Sequence, residues 1–307
     1  MTRDECRSDM SIAQPPRTGR RATSPPTLEP IRDEDLPAFC RFLTEHLYAG
    51  RTAEAWALAF RHDWGVAAPN HGFMLRDSGR IVGGIGAIYA ERTIRGRPER
   101  FCNITSWCVL EPWRAQSMRL ALALVSQPGF HYTDLTPTEV VSKTLQFLKF
   151  KPMNERHALW PNLPWPFARL AGVRAVADPD KIAALLAPAD AKVFRDHRAI
   201  PWLRHAAVGR AGAYCHVVWK PNRLRGVPGA WILAFSDAEL LLAHRHALGA
   251  HLLARGALYA RVESRLLPRL PPLCHELAGY RSKVYRSDTL APGDISNFYS
   301  EIVALDL

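Results

Sequence analysis

Hydrophobic and polar positions along the chain sort into alternating and helical stretches. Residues 27–32 predict a short first strand. Asp33, Glu34 and Asp35 open a helix with acids in its first turn, where the helix dipole favours them, and Phe39, Phe42, Leu43, His46 and Leu47 continue it at helical spacing. A second helix over 52–61 carries Trp56 and Phe60 at i, i+4. Strands at 71–75 and 80–90 flank the turn Asp77-Ser78-Gly79, a hairpin signal. A polar connection over 91–100 leads to a strongly β-prone strand at 101–109. Alternation sets Asn103, Thr105 and Trp107 on one face of it, and Cys102, Ile104, Ser106 and Cys108 on the other. That strand stops at Pro112, and a helix rich in Leu and Ala starts near Gln116. The run Gly83-Gly84-Ile85-Gly86 lies inside a strand with no helix after it, so it is not a dinucleotide fingerprint; its glycines relieve crowding or admit a ligand.

Residues 154–172 are rich in proline and contain Trp160 and Trp165, which marks a boundary. Beyond it, strands at 214–220 and 230–235 are joined by an Arg- and Gly-rich turn. Ser236-Asp237-Ala238-Glu239 reads as a capping box that starts a helix running to Ala254. A strand at 257–263, a short helix at 272–277, a last strand at 283–287 and an amphipathic helix at 294–304 complete the pattern. His244 and His251 share a helix face but stand too far apart for one metal ion.

The junction Val109-Leu110-Glu111-Pro112-Trp113-Arg114-Ala115-Gln116-Ser117-Met118-Arg119 feeds a strand into a helix N-terminus, whose unpaired amides suit a phosphate. With the hairpin before it, His131 to Pro137 as the next strand and Leu148-Lys149-Phe150 after the next helix, this series resembles the GNAT (GCN5-related N-acetyltransferase) superfamily over residues 27–155. Val109 to Met118 resembles that family's VxPxYRxxGxG/A loop. The resemblance implies an α/β (α+β) fold: a mixed, mostly antiparallel sheet flanked by helices. It implies acetyl-CoA or another acyl-CoA as co-substrate, held by the backbone of Trp107, Cys108 and Val109 and by Arg114, Ala115, Gln116, Ser117, Met118 and Arg119. Trp113 replaces the usual Tyr. Ser117 and Arg119 stand where the family has small residues, and Arg119 either clamps a phosphate or faces water. Leu145 stands where many members carry the tyrosine that protonates the leaving thiolate.

The residues nearest that junction offer Asp134 as a base, with Glu111, His131 and Glu91 as alternatives, and Tyr132, Thr136 and Ser142 as hydroxyl acids. A proximity-driven transfer with water as proton relay needs none of them. The second half repeats the order of elements without the phosphate loop. The expected organisation is therefore a disordered tail at 1–26, a GNAT-like acyl-CoA-binding domain at 27–155, a linker at 156–174 and a degenerate second GNAT-like lobe with a C-terminal helix at 175–307. Because these lobes resemble a tandem, the chain is expected as a monomer or homodimer that acylates a small-molecule or peptide amine. Small residues at Gly83, Gly84 and Gly86 leave room for more than acetyl. A Fem-type aminoacyl-tRNA-dependent ligase and a non-catalytic binding protein are the alternatives.

Charge and cysteines narrow this further. Forty Lys and Arg against 29 Asp and Glu give a net charge of +11, and residues 161 onward hold 19 basic against 12 acidic residues. That excess suits an anionic partner, but the basic residues are scattered and no aromatic–basic motif accompanies them, so nucleic acid is not expected. The six cysteines form no CxxC pair and no zinc pattern, which predicts a reducing cytoplasm and no metal. No apolar run is long enough to span a membrane, and the first 25 residues lack the apolar core of a secretory signal.

Overall fold

The computed structural model describes residues 25–153, 155–163, 172–279 and 282–306. The tail at 1–24, Cys6, Trp165 and Tyr280 lie outside them. The first part of the chain forms β1 (Thr27–Pro30), α1 (Leu36–His46), α2 (Ala53–Phe60), β2 (Gly72–Asp77), β3 (Arg80–Ile94), β4 (Arg97–Val109), α3 (Ser117–Val125), β5 (His131–Asp134), α4 (Glu139–Phe147) and β6 (Lys151–Met153). The second part forms β7 (Arg156–Pro161), β8 (Arg174–Val176), α5 (Pro179–Leu185), α6 (Pro188–His197), β9 (Arg204–Arg210), β10 (Ala213–Leu224), β11 (Val227–Phe235), α7 (Ala238–Ala243), α8 (Arg245–Leu253), β12 (Tyr259–Glu263), β13 (His275–Ala278), β14 (Lys283–Arg286) and α9 (Glu301–Ala304).

Two seven-stranded sheets result, in the orders β1-β2-β3-β4-β5-β14-β6 and β13-β7-β12-β11-β10-β9-β8. The strand order repeats, with β8 to β12 standing where β1 to β5 stand, and among the described residues each sheet has one parallel pair, β4 with β5 and β11 with β12. The strand at the sixth position is exchanged. β14, from the end of the chain, enters the first sheet, and β7, which follows β6, enters the second. Arg156–Pro161, expected in a linker, is thus a buried strand, and Lys283–Arg286, expected in the second lobe, pairs with β5 and β6 of the first.

Other expectations change for local reasons. Residues 91–100 are not a connection: β3 and β4 run on to a two-residue turn at Arg95-Gly96, both at positive φ (51° and 77°), the type I′ geometry that suits tight hairpins. Arg225-Gly226 makes the same turn between β10 and β11, at 50° and 81°. Residues 272–277 form a turn and then β13, which pairs with β7. The helix after β11 begins at Asp237, whose carboxylate accepts from the Leu240 amide (2.9 Å), and it breaks at His244 into α7 and α8. Ser236 Oγ accepts from the His216 amide (3.0 Å) instead of capping the helix. The final helix is confined to Glu301–Ala304.

In the first lobe α1 and α2 pack on one sheet face, and α3 and α4 on the other. The first of these cores does not stop at the lobe. Ile31, Phe39 and Trp64 join Leu203, Val218 and Leu233 of the second lobe, and Phe298, Ile302 and Val303 of the C-terminal segment, in one apolar cluster. Gly84 and Gly86 serve this packing. A Cβ on Gly84 would stand 2.4 Å from the Phe39 ring, and one on Gly86 2.7 Å from Phe60. The space beside these glycines is filled by helix side chains, not open to an acyl chain.

Candidate active site

The parallel pairing of β4 and β5 is short. Phe101, Cys102 and Asn103 pair with His131, Tyr132 and Thr133, and there the strands part. β4 continues to Val109, paired among the described residues with β3 alone, so a gap opens between β4 and β5 along its opposite edge. A bulge inside this segment sets Ser106 at φ 54°, and the register with β3 shifts between Gly84 and Gly86. One extra residue reverses the faces beyond it. Cys102 and Ile104 point to the α3–α4 side and are joined there by Trp107 and Val109, whereas Cys108 packs on the α1–α2 side. Cys102 and Cys108 therefore do not share a face. Burial pushes the Cys108 thiol up to about 11.

Where the strands part stands a residue that the sequence did not suggest. Glu301, the first residue of α9, is fully buried. Its amide donates to Asn103 Oδ1 on β4 (2.8 Å), and Asn103 Nδ2 donates to Thr133 Oγ1 on β5 (3.0 Å). Glu301 Oε1 accepts from the Leu135 amide (2.8 Å) and the Thr136 hydroxyl (3.1 Å), whereas Oε2 is buried with no hydrogen-bond partner among the described residues. Burial raises its pKa above the usual carboxyl value. The only sequence signal was an acid placed directly before the apolar run Ile302-Val303-Ala304-Leu305, which a helix reading absorbs.

Of the three catalytic candidates, Thr136 bonds Glu301 and Asp134 bonds the Thr136 backbone. Asp134 ends β5, is 5% exposed, and its Oδ1 accepts from the Thr136 amide (3.2 Å). Thr136, half-buried, links the Glu301 carboxylate toward the surface. Tyr132 is not brought there: its hydroxyl donates to the carbonyls of Leu124 (3.2 Å) and Gln127, tying β5 to the end of α3, and burial raises its pKa. Of the alternatives, His131 bonds Glu99 (2.9 Å) at the far end of β5, Glu111 pairs with Arg114, and Ser142 is buried on α4 beside Gln146. Leu145 is buried in the core between sheet, α3 and α4.

The phosphate-loop candidates follow β4 directly. Glu111–Gln116 is a 3₁₀ helix, in which amides turn to carbonyls three residues back, and the Ser117 amide donates to the Arg114 carbonyl. Arg114 is exposed and bridges Glu111 at 2.8 Å. Arg119 Nη1 donates to the Pro26 carbonyl (3.0 Å) and to Gln116 Oε1 (3.2 Å), so this side chain ties the approach to β1 onto α3. α3 has no side-chain cap, which leaves its first-turn amides as donors. Trp107 and Trp113 each bury an indole N–H without a hydrogen-bond partner. Open amides, spare guanidinium donors and two orphaned indole N–H groups thus flank the free β4 edge. That donor set fits the amide-rich arm of a CoA thioester. It fits the pyrophosphate less fully, since the 3₁₀ turn commits part of the loop.

The second lobe has the same parting and closes it. β11 and β12 pair at Ala230–Ala260 and Trp231–Arg261. Beyond, Asn297 Nδ2 donates to the Leu233 carbonyl and to Glu263 Oε1 (both 2.7 Å), and Lys283 Nζ donates to Asn297 Oδ1 (2.9 Å) and to Glu263. Lys283 and Arg265 hold the buried Glu263 carboxyl far below its usual range. The helix N-terminus after β11 carries its own anion, Asp237, where a phosphate would have to sit.

This architecture has known counterparts. The chain superimposes on a GCN5-related N-acetyltransferase from Anabaena variabilis with a TM-score of 0.58, over 85% of this chain and 72% of that one at 10% identity. This is the GNAT fold, in two tandem lobes. A probable N-acyltransferase from Enterococcus faecalis (TM-score 0.56, 11% identity, 86% and 73% covered) and a GCN5-related N-acetyltransferase from Kribbella flavida (0.55, 14%, 85% and 70%) share it. No family model matches the sequence, and no curated protein matches it. Among the described residues no helix of this GNAT-fold chain is long and apolar enough to cross a membrane, and no group of three or more His, Cys, Asp or Glu could hold a metal ion.

Proposed function

We propose that this protein is an acyltransferase that moves an acyl group from acyl-CoA, such as acetyl-CoA, directly to the amine of a small molecule or peptide, in the gap between β4 and β5. The contrast between the two lobes carries this reading. Glu301 lies in the first cleft with a raised pKa, one unpartnered oxygen and no ion pair among the described residues. Glu263 lies in the second, neutralised by Lys283 and Arg265. A buried carboxyl tuned upward is what base catalysis near neutrality needs; a salt-bridged one is not.

In the transfer the amine nitrogen bonds to the thioester carbonyl carbon, the C–S bond breaks, and the amine proton leaves. Thr136 passes that proton inward to Glu301, and Asp134 orders the Thr136 backbone. The free edge of β4 offers amides to the carbonyl oxygen as it gains charge. Water protonates the thiolate, because Leu145 has no proton to give and Tyr132 faces α3, and the hydroxide left behind takes the proton held by Glu301, which restores the base.

A non-catalytic binding protein is the second reading, favoured by the committed 3₁₀ amides and by the Arg114–Glu111 pair. Calorimetric titration with acetyl-CoA and with CoA, repeated on Arg119→Ala and Arg114→Ala, separates the two when followed by a thiol-release screen of amines. Binding weakened by these substitutions, with thiol release on some amine, supports transfer. Binding without release on any amine supports the second reading, and no binding of either ligand overturns both.

A further inference from the structure

A cavity of about 550 Å³ opens in the second lobe, away from the β4–β5 cleft. It forms because β8 is short. Val176 of β8 pairs with Ala207, so β9 from Arg204 to Ala206 has no strand on its outer side. Ile182 of α5, Phe194 of α6 and Leu203 give the cavity an apolar wall. Arg198, Arg204 and Arg255 also line it; among the described residues no carboxylate lines it, and none of the three makes an ion pair.

The lining also holds buried ring nitrogens that the protein leaves unused. Trp219 Nε1, His251 Nε2 and His205 Nε2 are buried with no hydrogen-bond partner among the described residues. The His251 tautomer follows from its neighbour. Arg255 Nη1 lies 3.1 Å from His251 Nδ1 and can only donate, so Nδ1 accepts and Nε2 carries the hydrogen. Burial keeps His251 neutral, with its pKa lowered to about 4. The site therefore offers three guanidinium groups beside an apolar wall.

We propose that this cavity binds an organic anion, a phosphate or carboxylate on an apolar body, with its head among Arg198, Arg204 and Arg255 and its body against Ile182, Phe194 and Leu203. Forked guanidinium groups favour multi-oxygen anions, and the volume suits a small molecule.

Titration of the full-length protein with phenyl phosphate, benzoate and inorganic phosphate, by calorimetry and tryptophan fluorescence, tests this. Phenyl phosphate or benzoate binds more tightly than inorganic phosphate, and whichever binds better names the head group. Arg198→Ala and Arg255→Ala, both at exposed positions, each weaken that binding roughly tenfold and leave acetyl-CoA affinity unchanged. The proposal is overturned if neither aryl anion binds, if inorganic phosphate binds as well as phenyl phosphate, or if binding survives both substitutions.

Discussion

Glu301 accepts a hydrogen bond from the amide of Leu135, 166 residues earlier in the chain, at 2.8 Å. That bond sets an acid from the end of the chain into the point where β4 and β5 part. Glu301→Gln keeps a carbonyl oxygen for Leu135 and Thr136 and removes the base, so acyl transfer falls by roughly 10²- to 10⁴-fold while acetyl-CoA affinity is unchanged. Stability moves the other way. A carboxyl whose folded pKa is raised contributes stability that is fully present below its unfolded value of 4.5 and is lost as pH rises through the folded one. At neutral pH the glutamine variant therefore melts at or above the parent temperature. Thermal melts across pH 4 to 8 check this, and a neutral-pH loss in melting temperature for Glu301→Gln would contradict it.

Glu263 has the opposite sign. Its folded pKa is depressed, so its stabilisation is present above 4.5 and is lost as pH falls toward the folded value. Lys283→Met leaves this carboxylate buried beside Arg265 and Asn297 without its ammonium partner. Removing one partner of a buried pair costs about 3–5 kcal/mol. Adding Glu263→Gln recovers most of that loss, which denaturant unfolding of the single and double variants measures.

A stack of buried rings joins the lobes, and it titrates. His205 lies parallel to His216 at 5.4 Å, His216 lies parallel to Phe298 at 5.9 Å, and His197 Nε2 accepts from the Tyr299 amide at 3.2 Å. Burial lowers all three histidines, His197 to about 3 and His205 to about 4. Such groups contribute stability above their unfolded value of 6.5 that is lost as pH falls. A single histidine of this kind gives up on the order of 2 kcal/mol between pH 6.5 and pH 5. His205→Phe flattens that slope, and unfolding free energies at the two pH values decide whether it does.

The first lobe was legible because its order of elements carries the resemblance, from the Asp77-Ser78-Gly79 hairpin through the β4–α3 junction. The strand pair, Arg-Gly turn and helix of the second lobe were legible for the same reason. The bulge was not: Ser106 at φ 54° is an ordinary residue in a left-handed conformation, and alternation counted through it assigns Trp107 and Cys108 to the wrong faces. Residues 91–100 looked like a connection because an exposed hairpin arm is polar on its outer face. The exchange of β7 and β14 left no local trace, since a strand reads alike whichever sheet receives it. Glu301 was hidden for a related reason, as its partners Asn103, Leu135 and Thr136 are distant in sequence.

The exchange has a consequence for cutting the chain. A fragment of residues 25–155 contains the GNAT-like elements of the first lobe, yet it lacks β14, the strand between β5 and β6. It also lacks Phe298, Ile302 and Val303 from the shared core. Without β14, β5 presents an unpaired edge, which invites aggregation, and the Asn103 side chain loses the Glu301 amide. The fragment is expected to be poorly folded, and the intact chain to unfold in one transition with both lobes together. Circular dichroism melts of the fragment alone, and of the fragment fused through a flexible linker to residues 282–306, test this. Cooperative melting of the fragment alone would show that β14 is dispensable; cooperativity restored only in the fusion would show that the first lobe is completed by the end of the chain.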